Sequence, residues 1–136
     1  MVDVDHFKHF NDEFGHQEGD DVLKLVVSQI RQAVRAEDYV CRYGGEEFAV
    51  ILPEASAEVA VERAEQLRQP VESVTRGREG GAATASIGVA VFPEHGTAAA
   101  ELIAQADAAL YTAKRAGRNR VALAAPLDPA IINAAA

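Results

Sequence analysis

Apolar and acidic residues alternate with period two along Met1-Val2-Asp3-Val4-Asp5, the signature of a strand with one buried face. The rhythm then lengthens. From Gly19 to Arg35 the apolar residues Val22, Leu23, Val26, Val27, Ile30, Ala33 and Val34 return at helical spacing, and Asp20 and Asp21 sit where the helix dipole favours negative charge. Tyr39 to Tyr43 and Glu47 to Leu52 are short runs rich in aromatic and β-branched residues on either side of Gly44-Gly45, with Pro53 closing the second; they read as a β-hairpin. Ser56 is a cap for a second helix with Val59, Ala60, Ala64 and Leu67 on one face, and Pro70, which has no amide hydrogen, is expected to end or kink it near Gln69. Arg76 to Gly81 reads as a charged, glycine-rich linker, and Ala83 to Phe92, where Ile87, Val89 and Val91 alternate, as a strand. After a turn at Pro93-Glu94-His95-Gly96, a third helix is expected from about Ala99 to Ala116, stopped by Gly117 and followed by a short strand from Arg120 to Ala124.

The predicted order is strand, helix, strand, strand, helix, strand, helix, strand, without internal repeat. A hairpin mixed with crossover helices favours an α/β (α+β) sandwich on a ferredoxin-like unit, helices covering a largely antiparallel sheet, over a parallel Rossmann sheet. At 136 residues the chain is one domain long, read as 1–124 with a tail or linker at 125–136. Charged residues at 25% and apolar residues at 49% are globular proportions. The excess of 21 acidic over 13 basic residues, a formal charge of −8, argues against a nucleic-acid polymer as partner, so any bound phosphate must be held locally. Cys41 stands alone, which excludes an intrachain disulfide and a cysteine-based zinc site and fits a reduced, cytoplasmic setting. No apolar stretch approaches the roughly 18 residues that would cross a bilayer.

Asp3 and Asp5 share a strand face if Val2 and Val4 face the core, either as a solvated edge or as a ligand pair. The hairpin sharpens the question, because Glu46 and Glu47 follow Gly44-Gly45 directly and adjacent strands can bring three carboxylates together. Such a cluster repels itself at neutral pH unless a divalent cation intervenes, and hard oxygen ligands suit Mg²⁺ or Mn²⁺. The glycines are either a preferred hairpin turn or a bare backbone that a planar or phosphorylated ligand can approach. Lys8 lies in the segment read as a loop after the first strand, beside that site. Asn11 and Asp20 supply an amide and a carboxylate suited to a guanine edge, or else a turn former and a helix cap. Lys114 and Arg118 bracket Gly117, placed to stabilise a helix C-terminus or to reach a polyphosphate. The four histidines show no metal-ligand spacing and read as loop residues. The G-x-x-x-x-G-K-S/T, G-x-G-x-x-G and G-x-S-x-G signatures are absent.

Five blocks in one order resemble the GGDEF family of diguanylate cyclases: Asp3-Val4-Asp5-His6-Phe7-Lys8 with Asn11; Gly15-His16 through Gly19-Asp20; Arg42-Tyr43-Gly44-Gly45-Glu46-Glu47-Phe48; Ser86-Ile87-Gly88-Val89-Ala90; and Ala106-Asp107 through Lys114 to Asn119. The match runs to about Leu123. The resemblance implies a nucleotidyl-cyclase-type sandwich that condenses two GTP molecules into cyclic di-GMP and pyrophosphate, as a homodimer with the two nucleotides facing each other. By position it implies Mg²⁺ (or Mn²⁺) on Asp3, the Val4 carbonyl and Glu46, with Glu47 also at the metals and Glu46 as proton acceptor. It places Lys8 at the developing phosphate charge, Asn11 and Asp20 at guanine, Lys114 and Arg118 at phosphates, and the backbone of Phe7 and Gly45 in the pocket. Arg35 and Asp38 fall where relatives carry a product-inhibition site for cyclic di-GMP, although Gln66 stands where relatives often have a further arginine. The helical segment that relatives carry before the first strand is missing, and with it the link to a sensory or dimerising module through which the full-length protein could be membrane-attached. The alternatives are a catalytically weak or inactive domain binding GTP or cyclic di-GMP, and a purely structural interaction domain that would leave the carboxylates unexplained.

Overall fold

A computed structural model describes residues 1–75, 82–128, 130 and 132. The elements are β1 (Val2–Val4), α1 (Phe7–Phe14), α2 (His16–Ala33), β2 (Tyr39–Arg42), β3 (Glu47–Ile51), α3 (Ala57–Thr75), β4 (Ala85–Val89), α4 (Ala99–Arg115) and β5 (Val121–Leu123). The sheet order is β2-β3-β1-β4-β5; the first four strands pair antiparallel and β5 adds parallel to β4. The first four strands therefore form the expected ferredoxin-like unit, and α4 supplies the crossover that a parallel fifth strand requires.

Side-chain alternation divides the sheet into two faces, each covered by helices. Val2 and Val4 of β1 and Ile87 and Val89 of β4 enter one core with Val22, Val26 and Ile30 of α2 and Ala64, Leu67 and Val71 of α3. The opposite face receives Ala106, Ala109, Leu110 and Ala113 of α4. Gly88 makes that contact possible, since a Cβ there would lie 2.0 Å from the Ala106 carbonyl oxygen and 2.3 Å from the Leu110 nitrogen. Met1 sits between these layers, its amine donating to the Gly88 carbonyl at 2.8 Å. Burial lowers the pKa of that amine to about 6, against the opposing pull of Asp107.

Four local expectations are corrected. The segment after β1 is a helix, with Phe7, Phe10 and Phe14 at i, i+3 and i+7 and the Phe10 and Phe14 rings 5.0 Å apart. That spacing was visible in the chain, but the segment is short and its N-cap, His6, has a left-handed φ of 56° and makes no side-chain capping bond. Pro70 does not end α3. An interior proline costs about 3 kcal/mol, and the burial of Leu67 and Val71 on either side of it, at about 1.5–3 kcal/mol each, offsets that cost. Of the histidines read as loop residues, His9 lies in α1 and His16 opens α2, while His95 does sit in the turn after β4, buried, its ring accepting from the Val91 amide at 2.9 Å. Asp5 is no solvated edge; α4 and its following loop cover the acidic face of β1, and only 7% of the residue is exposed. The linker read at 76–81 lies outside the described residues.

Candidate active site at the hairpin end of the sheet

The pairing of β1 with β3 sets Asp3 opposite Glu47, and the Val4 amide donates to the Glu46 carbonyl at 3.2 Å. The hairpin tip is held from within. The Tyr43 and Gly44 amides both donate to the Glu47 carbonyl, at 2.8 and 3.2 Å, and the Arg42 guanidinium donates to the carbonyls of Gly44 and Gly45. A Cβ at Gly44 would stand 2.7 Å from a Glu47 carboxylate oxygen, so this position must be bare for the Glu47 side chain to lie where it does. Arg42, not singled out as a site residue from the sequence, is thus the strut of the turn.

Asp3 is buried and meets one cation, Lys114 Nζ at 3.0 Å. Burial raises its carboxyl above the ordinary carboxylate range; Lys114 opposes that shift, and Glu46 and Glu47 add to it. The expected convergence of three carboxylates is only partial: among the described residues no group of three or more His, Cys, Asp or Glu side chains is gathered to hold a metal ion. Glu47 opens β3 opposite Asp3, whereas Glu46 lies in the turn before the strand. What the structure assembles here is a pair of hard-oxygen side chains near a buried carboxylate, balanced by a lysine.

Asp5, two residues on, is spent on the fold. Its carboxylate accepts from Thr84 Oγ1 at 2.7 Å, Ser86 Oγ at 2.7 Å and the Asn119 amide at 3.0 Å. Asn119 in turn accepts from Arg68 at 2.6 Å and donates to Glu72 at 3.1 Å, which ties the loop after α4 to α3. Gly117, Arg118 and Asn119 in that loop all have left-handed φ, at 117°, 64° and 47°. The loop thereby reverses sharply and leaves Arg118 half-buried beside the end of α4.

Asn11 projects from α1 against α2, where a Cβ on Gly19 would come within 1.7 Å of Asn11 Oδ1. Gly19 is therefore the residue that admits this amide, and Oδ1 is buried without a hydrogen-bond partner in the protein. An orphaned buried acceptor beside an exposed carboxylate, Asp20, is an arrangement that hydrogen-bonding ligands relieve. Lys8 is exposed on α1. Phe7 is buried, and Gly45 stands at the open tip.

Arg35 and Asp38 lie at the other end of β2 from the hairpin tip. The Arg35 amide donates to Asp38 Oδ2 at 2.6 Å, and Arg63 of α3 clamps both Asp38 oxygens while also reaching the Ala33 carbonyl. The Arg63 hydrogen bonds hold the Asp38 carboxyl below its usual range. Arg63 escaped notice in the sequence because its partner is 25 residues away on another element. Asp38 is consequently occupied within the chain, whereas Arg35 is exposed.

The family described as "Diguanylate cyclase, GGDEF domain" matches residues 1–120. The chain belongs to the GGDEF family. It is 41% identical over 126 residues to diguanylate cyclase DgcP of Pseudomonas aeruginosa, covering 91% of this chain and 19% of DgcP. It is 45% identical over 126 residues to diguanylate cyclase DosC of Escherichia coli K12, covering 90% of this chain and 27% of DosC. The GGDEF domain thus spans about a fifth to a quarter of these relatives' length. Among solved structures, the GGDEF domain of DgcB from Caulobacter crescentus in complex with c-di-GMP superposes with a TM-score of 0.82 at 43% identity, covering 90% of this chain and 74% of that one. GGDEF diguanylate cyclases generally use a divalent metal. Among the described residues no helix is long and apolar enough to cross a membrane.

Proposed function

We propose that this GGDEF domain condenses two GTP molecules into cyclic di-GMP, releasing pyrophosphate, as a cytoplasmic homodimer in which each subunit presents one nucleotide to the other. The observation that carries the reading is the Asp3–Glu47 register with Lys114 at Asp3, which puts acidic oxygens and a cation at one end of the sheet. The donor set fits Mg²⁺ or Mn²⁺: Asp3, the Val4 carbonyl and Glu46 would hold it, with Glu47 adjacent. A bound divalent ion there supplies neutralisation of phosphate charge and a more acidic ribose hydroxyl.

The protein's own residues carry the rest. Glu46 accepts the proton of the attacking 3′-hydroxyl as its oxygen bonds to the α-phosphorus of the other nucleotide and the bond to pyrophosphate breaks. Lys8 on α1, with Lys114 and Arg118 at the end of α4, stabilises charge on the phosphates, and Lys114 exchanges Asp3 for a phosphate oxygen in doing so. Asn11 and Asp20 read the guanine, the unpartnered amide of Asn11 gaining its missing bond. The backbone of Phe7 and Gly45 lines the pocket, where a side chain on Gly45 would narrow the approach.

Cyclic di-GMP also meets Arg35, whose guanidinium takes phosphate or the Hoogsteen edge of guanine, while Asp38 orients the turn that presents it. Gln66, in place of an arginine, and the capture of Asp38 by Arg63 make this inhibition weak. Incubation with GTP and Mg²⁺ followed by chromatography of the products tests the activity; absence of cyclic di-GMP from a demonstrably dimeric protein refutes it. Equal calorimetric affinity of wild type and Arg35→Ala for cyclic di-GMP refutes the inhibitory site.

A further inference from the structure

The loop after α4 is strained and yet closely held. Gly117 takes its positive φ freely, but Arg118 and Asn119 follow at 64° and 47°, and two consecutive residues with side chains enter the left-handed region only where their surroundings impose it. The backbone of Arg118 is pinned on both sides: its amide donates to the Ala113 carbonyl at 3.0 Å, and its carbonyl accepts from Arg120 Nε at 3.0 Å. Asn119 secures the far end. Its amide belongs to the fold through Asp5, but its side chain turns to α3, where Oδ1 accepts from Arg68 at 2.6 Å and Nδ2 donates to Glu72 at 3.1 Å. Glu65, one turn away on α3, accepts from Arg68 Nε at 2.8 Å and steadies that donor. A short carboxamide accepts from a guanidinium and donates to a carboxylate at once, and asparagine also tolerates left-handed backbone.

We propose that Asn119 is a positioning residue for the nucleotide's phosphates: clamped between Arg68 and Glu72, its side chain locks the strained turn in the conformation that aims Arg118 at them. This rests on the reading of Arg118 as a phosphate contact and adds the means by which that side chain is set in place beforehand. The direction of the Arg118 Cβ follows from its φ, so releasing the clamp lets the turn relax toward negative φ and swings the guanidinium away. An arginine on a turn free to relax loses that freedom on binding, at a cost to affinity; one on a clamped turn has already lost it on folding. Through Arg68 and Glu72, α3 thereby takes part in a nucleotide site built on other elements.

The test uses the full chain with Mg²⁺. It compares the affinity for GMP, by chemical-shift titration, with that for a GTP analogue bearing a methylene bridge between the α- and β-phosphates, by calorimetry. Asn119→Gly keeps the left-handed backbone and the amide to Asp5 and removes only the side-chain clamp. It should weaken the analogue about tenfold and GMP by less than about twofold, whereas a general loss of structure weakens both alike. Arg118→Ala should weaken the analogue about tenfold or more, and adding Asn119→Gly to it should change nothing further, because the clamp acts through Arg118. Arg68→Met cuts the same clamp from α3 and should repeat the pattern more mildly, which serves where Asn119→Gly melts too low to measure. Equal weakening of both ligands, or full additivity of Asn119→Gly with Arg118→Ala, overturns the positioning role. So does unchanged affinity for the analogue in Asn119→Gly when Arg118→Ala is defective. Failure of the underlying reading looks different: wild type binds neither nucleotide, or Arg118→Ala binds as wild type does, and the proposal falls with it.

Discussion

Asp3 and Asp5 are two residues apart on one face of β1, equally buried at 7% exposure, and they live in opposite environments. Asp5 accepts three hydrogen bonds from neutral donors: Thr84 just before β4, Ser86 on β4 and Asn119 in the loop after α4. Asp3 has the side chain of a lysine and the repulsion of two glutamates. A carboxylate saturated by fixed neutral dipoles is finished; nothing is gained by bringing it a ligand. One balanced by a single flexible cation remains open to exchange, because another cation can replace the lysine at little structural cost. Identical chemistry at equal depth is thus saturated in one case and left with an exchangeable partner in the other.

Paired substitutions break this comparison most sharply. Asp3→Ala should lower the rate of cyclic di-GMP formation by about 10³-fold or more with little change in Tm, in line with losing a group needed only at the reacting centre. Product quantification beside a thermal melt checks it; a large fall in Tm would show Asp3 to be structural. Asp5→Ala should do the reverse, destabilising the fold by about 3 kcal/mol because Ser86 and Thr84 lose their acceptor, and reducing activity only through unfolding. Urea denaturation at a temperature where both proteins are folded measures it.

A third aspartate extends the scale. Asp38, clamped by Arg63, is the ionic counterpart of Asp5, and Arg63→Met should cost about 2 kcal/mol at neutral pH, since the Arg35 amide still serves the carboxylate. The folded-state pKa of Asp38 is lowered, so its stabilisation is present above the ordinary carboxylate pKa and is lost as pH falls through the lower, folded value. The gap between wild type and Arg63→Met should therefore close in acid, and a gap constant from pH 7 to 3 would contradict the ion pair's role.

The smallest effect has the opposite sign. The folded-state pKa of Asp3 is raised, so ionisation at neutral pH works against the fold. Asp3→Asn should raise Tm by a few degrees near pH 7, about 1 kcal/mol or less, while abolishing activity. The gain should vanish as pH falls toward about 4, where unfolded Asp3 itself becomes protonated. A neutral or negative change in Tm at pH 7 would mean that Lys114 more than offsets the cost of burial.

How much of this was readable beforehand follows a physical division. The periodicities of Val22 to Val34 and of Leu102 to Ala113 placed α2 and α4, because an amphipathic helix writes its buried face at a fixed spacing. Gly44-Gly45 between two β-branched runs placed the hairpin, since the turn's requirements are local. The same local reasoning failed at Pro70, where propensity was overruled by burial on either side, and at α1, whose three phenylalanines are held by packing with α2 rather than by a cap. No periodicity separates Asp3 from Asp5, or joins Arg63 to Asp38 and Asn119 to Asp5, because those assignments depend on which side chains arrive from residues 25 to 114 positions away. Sequence by itself determined the family, the strand-and-helix order and the set of chemically capable residues, all properties of short windows. Only the tertiary structure decided which carboxylate is spent on the fold and which keeps an exchangeable partner, because hydrogen-bond saturation belongs to the assembled neighbourhood.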